Sequence, residues 1–184
     1  MKRLQAAVIV FAVLALISIP VITQIRLVRT GLEKNGPVGW DRETEQLAEQ
    51  ICADCNTDEE KVRCIYRWII DNIEYDYTFD TFYQFFDSSK TIRTKKGVCF
   101  DYANLFASMC RSQSIPCFVL DGNHKGDSSI RHTWNRVYFH DVWWNLDLTN
   151  DAICKKEGKE LYGLKNIGID PTIDDEDYII TRIY

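Results

Sequence analysis

Apolar residues recur at steps of three and four in two early segments, a spacing typical of amphipathic helices. In the first segment they are Leu47, Ala48, Ile51, Cys52 and Cys55, and the predicted helix ends near Asn56. The second segment starts with Thr57 and Glu60, which have the spacing of a capping box. It continues through Val62, Ile65, Tyr66, Ile69, Ile70 and Ile73. Residues 77–93 show no sustained period and predict a loop with one short helix.

Residues 132–149, HTWNRVYFHDVWWNLDLT, contain two strand-like runs on either side of His140 and Asp141. This arrangement favours a hairpin with a tight turn. If Phe139 pairs with Val142, one face of the hairpin is apolar. That face carries Val137, Phe139, Val142, Trp144, Leu146 and Leu148.

The same register brings two chemically useful side chains together on the other face of the hairpin. Asp147 lies opposite Trp134 and diagonal to His132, at a separation that their side chains can close. A loop with an odd number of residues would place His132 and Asp147 on opposite faces. The apolar alternation favours the even loop, so we expect a carboxylate beside the imidazole.

The N-terminal part of the chain has a different composition from the rest. Two basic residues precede an apolar run over residues 6–22, which predicts a signal anchor or signal peptide over residues 1–25. Since no cleavage site with small residues is evident, an uncleaved single-pass membrane anchor is favoured, with the secreted form as the alternative. Residues 26–40 are interpreted as a linker, and residues 41–184 as one domain outside the cytoplasm.

Composition narrows the classes of partner. The 184 residues, of which 46% are hydrophobic, suffice for one core. A net charge of -5 and the lack of a basic cluster in the domain argue against nucleic acid. The pair Cys52 and Cys55 has metal-ligand spacing but no second pair accompanies it, so we predict no metal and no other cofactor. Residues 174–177, DDED, are interpreted as a solvated acidic turn.

Cys99 is the first candidate for chemistry. It precedes a helical pattern with Tyr102, Phe106, Met109 and Cys110 on one face, while Asp101, Asn104, Ser108 and Arg111 fall elsewhere. A helix N-terminus favours the thiolate, which is the nucleophilic form of cysteine. Gly97 is expected to let the backbone turn sharply into this helix. The alternative is that Cys99 only packs in the core.

Together with Cys99, the pair His132 and Asp147 has the composition of a Cys-His-Asp catalytic site. His132 would hold the thiolate as an ion pair and later protonate the leaving amine. Asp147 would orient the ring and stabilise its charged form. These three residues are therefore the predicted catalytic residues.

Two stretches resemble motifs of the transglutaminase-like superfamily. GVCFDYANLFASMCRSQSIP, residues 97–116, is similar to its nucleophile helix, and HTWNRVYFHDVWWNLDLT to its histidine and aspartate strands. The resemblance covers residues 57–150 and maps Cys99, His132 and Asp147 onto the family triad. It implies an α+β, papain-like cysteine-proteinase core in which an N-terminal helical part precedes a nucleophile helix packed on an antiparallel sheet.

The chain departs from the family pattern at a few positions without losing a triad member. Thr133 stands where the family usually has Ala, Leu148 where it has Pro, and Cys117-Phe118 where it often has Ala-Arg. The second donor of the family's oxyanion hole has no matching motif. Its candidates are Tyr77, Tyr83 and Gln84.

The resemblance implies a thiol enzyme that cleaves or transfers amide bonds through a thioester acyl-enzyme. Its substrate would be a protein, a peptide or a cell-wall peptide. Trp134 and Trp143 share the hairpin face of His132 and are expected to wall a substrate groove or to shield the imidazole from water, with plain packing as the alternative. Gln84 is a further candidate for substrate binding. The alternatives are a catalytically silent binding or scaffold module at the cell surface and another papain-like enzyme.

Six cysteines remain besides Cys99, an even number that would permit three disulfides in an exported domain. Cys52, Cys64 and Cys110 occupy apolar helix positions, where a cysteine also serves as a small buried hydrophobe. Both interpretations stay open on sequence grounds.

Overall fold

The computed structural model describes residues 38–78 and 87–184. Its helices are α1 Arg42–Ile51, α2 Asp58–Asn72, α3 Ser88–Thr94, α4 Cys99–Ser112 and α5 Leu148–Lys156. Its strands are β1 Glu74–Tyr75, β2 Lys96–Gly97, β3 Cys117–His124, β4 Arg131–Phe139, β5 Val142–Leu146, β6 Lys165–Gly168 and β7 Tyr178–Ile183.

Five of the strands form one antiparallel sheet in the order β6-β5-β4-β3-β7, and β1 and β2 form a separate parallel pair. Helix α4 packs on β3 and β4, and the other helices surround α4. The main core lies between this helical layer and one face of the sheet. The predicted α+β architecture, with the helix of Cys99 on an antiparallel sheet, is confirmed.

The early helices follow local signals. Asp41 caps α1, and the capping box of Thr57 and Glu60 at the start of α2 is confirmed. Helix α1 ends at Ile51 rather than near Asn56, because the chain turns at Cys52 to enter α2. The short helix expected within residues 77–93 is α3.

The predicted hairpin register is confirmed as far as Leu146, whereas the predicted pair of Trp134 with Asp147 is not part of the ladder. Phe139 pairs with Val142 and Asn135 with Leu146. His140 and Asp141 have φ values of 52° and 61°, the left-handed pair that a two-residue type I′ turn requires.

The second hairpin strand is shorter than expected. It ends at Leu146, because the side chain of Asp147 accepts the backbone N–H of Asn150 and caps helix α5. Leu148 and Thr149, which we assigned to the strand, are instead the first residues of that helix.

The face of the hairpin opposite the main core is also buried. Trp134 and Trp143 lie there with Phe118 and Leu120 in a second, smaller core. Partly buried side chains pack against it, including Ile167 from β6 and Tyr178 and Ile180 from β7. The sheet is therefore covered on both faces at this point.

Helix α4 is buried on its polar side as well. Asn104, Ser108 and Arg111 are at most 3% exposed, although their positions lie off the apolar stripe. The Ser108 hydroxyl donates to the Gly39 carbonyl. The Arg111 guanidinium donates to the carbonyls of Val38, Cys117 and Tyr184 at 2.7–2.8 Å. Residues 38 and 39, which we assigned to the linker, are thus fixed to the folded body.

Arg111 ties together three distant parts of the chain, and we expect its replacement to be costly. Arg111→Ala removes the donors of three carbonyls and should lower the free energy of unfolding by about 3 kcal/mol. Arg93→Ala is the control, because its ion pair with Glu43 is exposed and should contribute less than about 1 kcal/mol. Urea unfolding of both variants measures the difference, and equal values would contradict this role.

All seven cysteines lie in the described residues, and all are free. Cys52, Cys110 and Cys117 are buried. Cys64 is half-buried, and the Cys55 thiol donates to its sulfur at 3.3 Å. Cys52 and Cys110 therefore serve as small buried hydrophobes, and the three disulfides that the even number permitted are not formed.

Several predictions fall on residues outside the described part. They are the anchor over residues 1–25, most of the linker, and the side chains of Tyr83 and Gln84. Within residues 38–78 and 87–184, no helix has both the length and the apolar character needed to cross a bilayer.

Candidate active site

Cys99 is the first residue of α4. Val98 before it has an extended backbone, and its N–H donates to the Asp101 carboxylate at 2.9 Å. Because the backbone N–H groups of a helix's first turn lack partners within the helix, that of Cys99 is available to a ligand. The thiol therefore stands at the positive end of a buried helix.

Gly97 has a different role from the one expected. Its φ is not in the left-handed region, so no unusual turn requires a glycine. A Cβ at this position would instead lie 2.5 Å from the Asp101 Cβ. Gly97 thus leaves the space in which Asp101 reaches back to the helix start beside Cys99.

His132 and Asp147 come together as the hairpin register predicts. The His132 Nε2 lies 2.7 Å from the Asp147 Oδ2. The other carboxylate oxygen accepts the Asn150 N–H at 3.0 Å, so capping of α5 fixes the orientation of Asp147. Since Nε2 is engaged by Asp147, Nδ1 is the ring nitrogen left to interact with Cys99, which lies near enough to raise the pKa of His132.

The protonated form of His132 is strongly favoured. Burial of the ring opposes its charge, but hydrogen bonds and charge interactions with Asp147 and Cys99 outweigh burial and raise the pKa of His132 to about 10. At neutral pH the ring is therefore an imidazolium, with a carboxylate on one side and the sulfur of Cys99 on the other.

Aromatic rings enclose this imidazole. The Trp134 ring is almost parallel to it, at 13° and 6.1 Å between centroids, and the Tyr178 ring lies at 5.3 Å. The Trp134 indole N–H donates to the Asn145 side chain at 3.0 Å. Gly122 makes room for Trp134, since a Cβ there would lie 2.6 Å from the indole ring. These rings pack around the imidazole of His132 on the sheet.

A polar cleft of about 200 Å³ opens beside His132. Asp175 and Asp177 line it together with Trp134, Asp147 and Tyr178. The turn at residues 174–177 is therefore not simply solvated: Asp175 is half-buried and accepts a hydrogen bond of 2.7 Å from Asn145.

A larger groove of about 430 Å³ lies between β1 and α5. Its surface is mainly apolar and aromatic, and it includes Ile73, Tyr75, Tyr77, Tyr102, Ala152 and Ile153.

The structure sorts the predicted site residues into three groups. Cys99, His132 and Asp147 converge, and Trp134 lines the polar cleft. Trp143, expected to wall a substrate groove, is fully buried and stacks on Phe118 at 4.8 Å, so it lies in the second core. Gln84 lies outside the described residues.

Sequence reasoning missed Asn145, Asp175 and Tyr178 at the cleft. Asn145 lies on the same hairpin face as His132 and could have been found from the alternation. Asp175 and Tyr178 arrive from a distant segment and had no local signal.

Comparison with known proteins places this geometry in a family. Residues 45–148 match the model of the transglutaminase-like superfamily core. The kyphoscoliosis peptidase of Homo sapiens is 33% identical over 116 residues, which are 57% of this chain and 18% of the relative. Hillarin of Drosophila melanogaster is 31% identical over 131 residues, 61% of this chain and 16% of the relative. This chain thus spans less than a fifth of the length of these relatives.

Two solved structures show the same fold. A candidate cysteine protease from Cytophaga hutchinsonii superimposes with a TM-score of 0.57 and 24% identity, over 77% of this chain and 46% of the other. The periplasmic domain of TgpA from Pseudomonas aeruginosa superimposes with a TM-score of 0.55 and 17% identity, over 72% of this chain and 49% of the other.

Proposed function

This chain belongs to the transglutaminase-like superfamily, and we propose that it is a thiol enzyme that cleaves or transfers amide bonds through Cys99, His132 and Asp147. The observation that carries the proposal is the position of His132, whose Nε2 lies 2.7 Å from the Asp147 carboxylate and whose pKa is raised by interactions with both Asp147 and Cys99. A histidine that only packed in a core would not need both partners. The word peptidase in the name of one relative agrees with this class of reaction.

In the first half of the reaction the Cys99 thiolate attacks the carbonyl carbon of the substrate amide, and a C–S bond forms. The negative charge moves to the carbonyl oxygen, which the Cys99 backbone N–H can stabilise at the helix N-terminus. When the C–N bond breaks, the His132 imidazolium donates its proton to the leaving amine. The product is a thioester on Cys99 and a neutral His132.

In the second half neutral His132 takes a proton from the incoming water or amine, which attacks the thioester carbonyl. The C–S bond breaks, the thiolate of Cys99 is restored, and His132 is again an imidazolium. Asp147 orients the ring and stabilises its charged form. Water gives hydrolysis, and a primary amine gives transfer.

Product analysis tests the function directly. A glutamine-containing peptide is incubated with the protein, with and without a primary amine, and the products are identified by mass spectrometry. Labelling by a thiol-reactive amide mimic, with Cys99→Ala as the control, separates an enzyme from a silent binding module. Absence of both turnover and Cys99-dependent labelling would favour the silent module.

The raised pKa of His132 predicts an unusual pH profile. Because the pKa is about 10 in the folded protein against an ordinary 6.5, the imidazolium should persist through neutral pH and be lost as the pH rises towards 10. We expect kcat/KM of the wild-type protein to fall as the pH rises towards 10. In Asp147→Asn the same fall should begin at a lower pH, because the carboxylate that helps to raise the pKa of His132 is gone. The ion pair should also contribute fully to stability below pH 6.5 and lose this contribution between 6.5 and 10.

Rate measurements from pH 6 to 11 and urea unfolding at three pH values in that range check this profile. An alkaline limb already near pH 7 in the wild-type protein would contradict it.

For the cellular setting, we propose that residues 1–25 anchor the chain in the cell membrane with the domain outside the cytoplasm. Support comes from the basic residues and the apolar run over residues 6–22. The full-length protein should then fractionate with membranes and keep its N-terminus. Recovery of a secreted form that begins near Gln24 would contradict the anchored form.

A further inference from the structure

The groove of about 430 Å³ lies between elements that also carry the candidate active site, although Cys99, His132 and Asp147 do not line it. Cys99 is the first residue of α4, and Tyr102, one helical turn later, contributes to the groove. Asp147 caps α5, and Ala152 on α5 lies on the opposite wall. Two groove walls thus start at residues of the proposed catalytic site.

Strand β1 forms a third wall of the groove and lies next to the segment that precedes Cys99. Tyr75 pairs with Gly97, two residues before Cys99, and the Asp76 N–H donates to the Gly97 carbonyl at 3.0 Å. This pairing places Tyr75 on the strand next to the segment that leads into Cys99.

The groove surface is more apolar than polar, although its lining residues include Asp71, Glu74, Lys155 and Lys156. The Tyr102 hydroxyl is already used, because it donates to the Ile73 carbonyl at 2.6 Å. The rings of Tyr75 and Tyr77 meet edge to face at 4.8 Å, and Tyr77 is 74% exposed. A large aromatic ring held this open to water gains by covering with an apolar ligand.

The charges around the groove cancel. Lys155 on α5 forms an ion pair with Asp71 on α2, and the remaining rim groups are Glu74 and Lys156, one of each sign. This surface therefore does not select a charged ligand. Its volume falls in the range of about 300–1,000 Å³ typical of ligand pockets, whereas the polar cleft beside His132 is about 200 Å³.

We propose that this groove binds a large aliphatic or aromatic side chain of the substrate, so that the enzyme acts on polypeptide segments carrying such a residue close to the amide that Cys99 attacks. The inference rests on the proposed function, and it adds the class of substrate.

Binding to an inactive variant tests the groove without turnover. A library of unstructured peptides with one varied position on either side of a glutamine is passed over immobilised Cys99→Ala protein, and retained peptides are identified by mass spectrometry. We expect peptides with Leu, Ile, Met, Phe or Tyr at one varied position to be retained at least about tenfold over those with Ser or Gly.

The matched variants carry a second substitution. Ile153→Glu places a carboxylate in the groove, and Ala152→Trp fills it from the same helix; each should remove the preference. Ile169→Glu is the control, because Ile169 is 62% exposed and does not line the groove. Thermal unfolding checks that each variant is folded. If one groove variant does not fold, the other alone is used for the test.

Three outcomes would overturn the inference. They are retention without preference for apolar residues, retention of basic peptides only, and a preference that survives both groove variants. Failure of the proposed function is seen separately, as absence of turnover by the wild-type protein on the peptides that the Cys99→Ala protein retains.

Discussion

Cys99→Ala and His132→Ala are each expected to reduce amide turnover by about 10⁴-fold or more, and the double variant should be no worse than either. The reason is that the two residues act as one ion pair. Without the sulfur no thioester forms, and without His132 the sulfur has no partner of raised pKa to hold its charge and protonate the leaving amine.

The measurement is kcat/KM for the two single variants and the double variant, with thermal unfolding as a check on folding. Cys55→Ala is the control thiol, since Cys55 lies in the turn after α1 and its recorded side-chain partner is Cys64. Losses that multiply in the double variant would show that Cys99 and His132 work independently.

Asp147→Asn is expected to reduce kcat by about 10³- to 10⁴-fold while leaving the fold intact. Asparagine is as good an N-cap as aspartate, so α5 should still begin at Leu148. What the variant loses is the negative charge 2.7 Å from the His132 Nε2, on which the orientation and charge of the ring depend.

Asp141→Asn is the matched control on the same hairpin. Asp141 has a φ of 61° in the turn, a conformation that asparagine tolerates well, and its side chain is exposed. Its carboxylate lies at the far end of the hairpin from His132, so activity should change less than about twofold. A loss as large as that of Asp147→Asn would show that Asp147 is not the carboxylate on which His132 depends. Unfolding curves of both variants accompany the rates.

The hairpin shows how far local sequence reaches. An even loop with the left-handed pair His140 and Asp141 leaves one register for the strands, and that register brings the end of β5 and the following Asp147 towards His132. The position of Cys99 at the start of α4 is similarly local, because the apolar pattern after it marks a helix. These features depend on residues fewer than twenty positions apart.

The end of the second strand was not readable in the same way. Thr149 continues the alternation of the strand, and Asp147 fits a strand as well as a helix cap. In the structure Asp147 accepts the Asn150 N–H as a helix cap, and the helix that it starts, α5, packs against α2 and α4. The sequence pattern fits both a longer strand and a new helix after Asp147, so it cannot decide between them.

The sequence by itself therefore determined the helix start at Cys99, the hairpin register and the pairing of His132 with Asp147, since each follows from steric and hydrogen-bonding rules over short distances. Only the tertiary structure decided that Trp143 lies in a core, that Arg111 is buried among carbonyls, and that Asp175 and Tyr178 reach the cleft. Trp143 is buried in the second core, against which residues of β6 and β7 pack, and Asp175 is held at the cleft by Asn145. Arg111, on α4, is enclosed by the carbonyls of Val38, Cys117 and Tyr184. Whether a side chain is buried depends on what covers it, and the covering residues come from a part of the chain that no local pattern connects to the site.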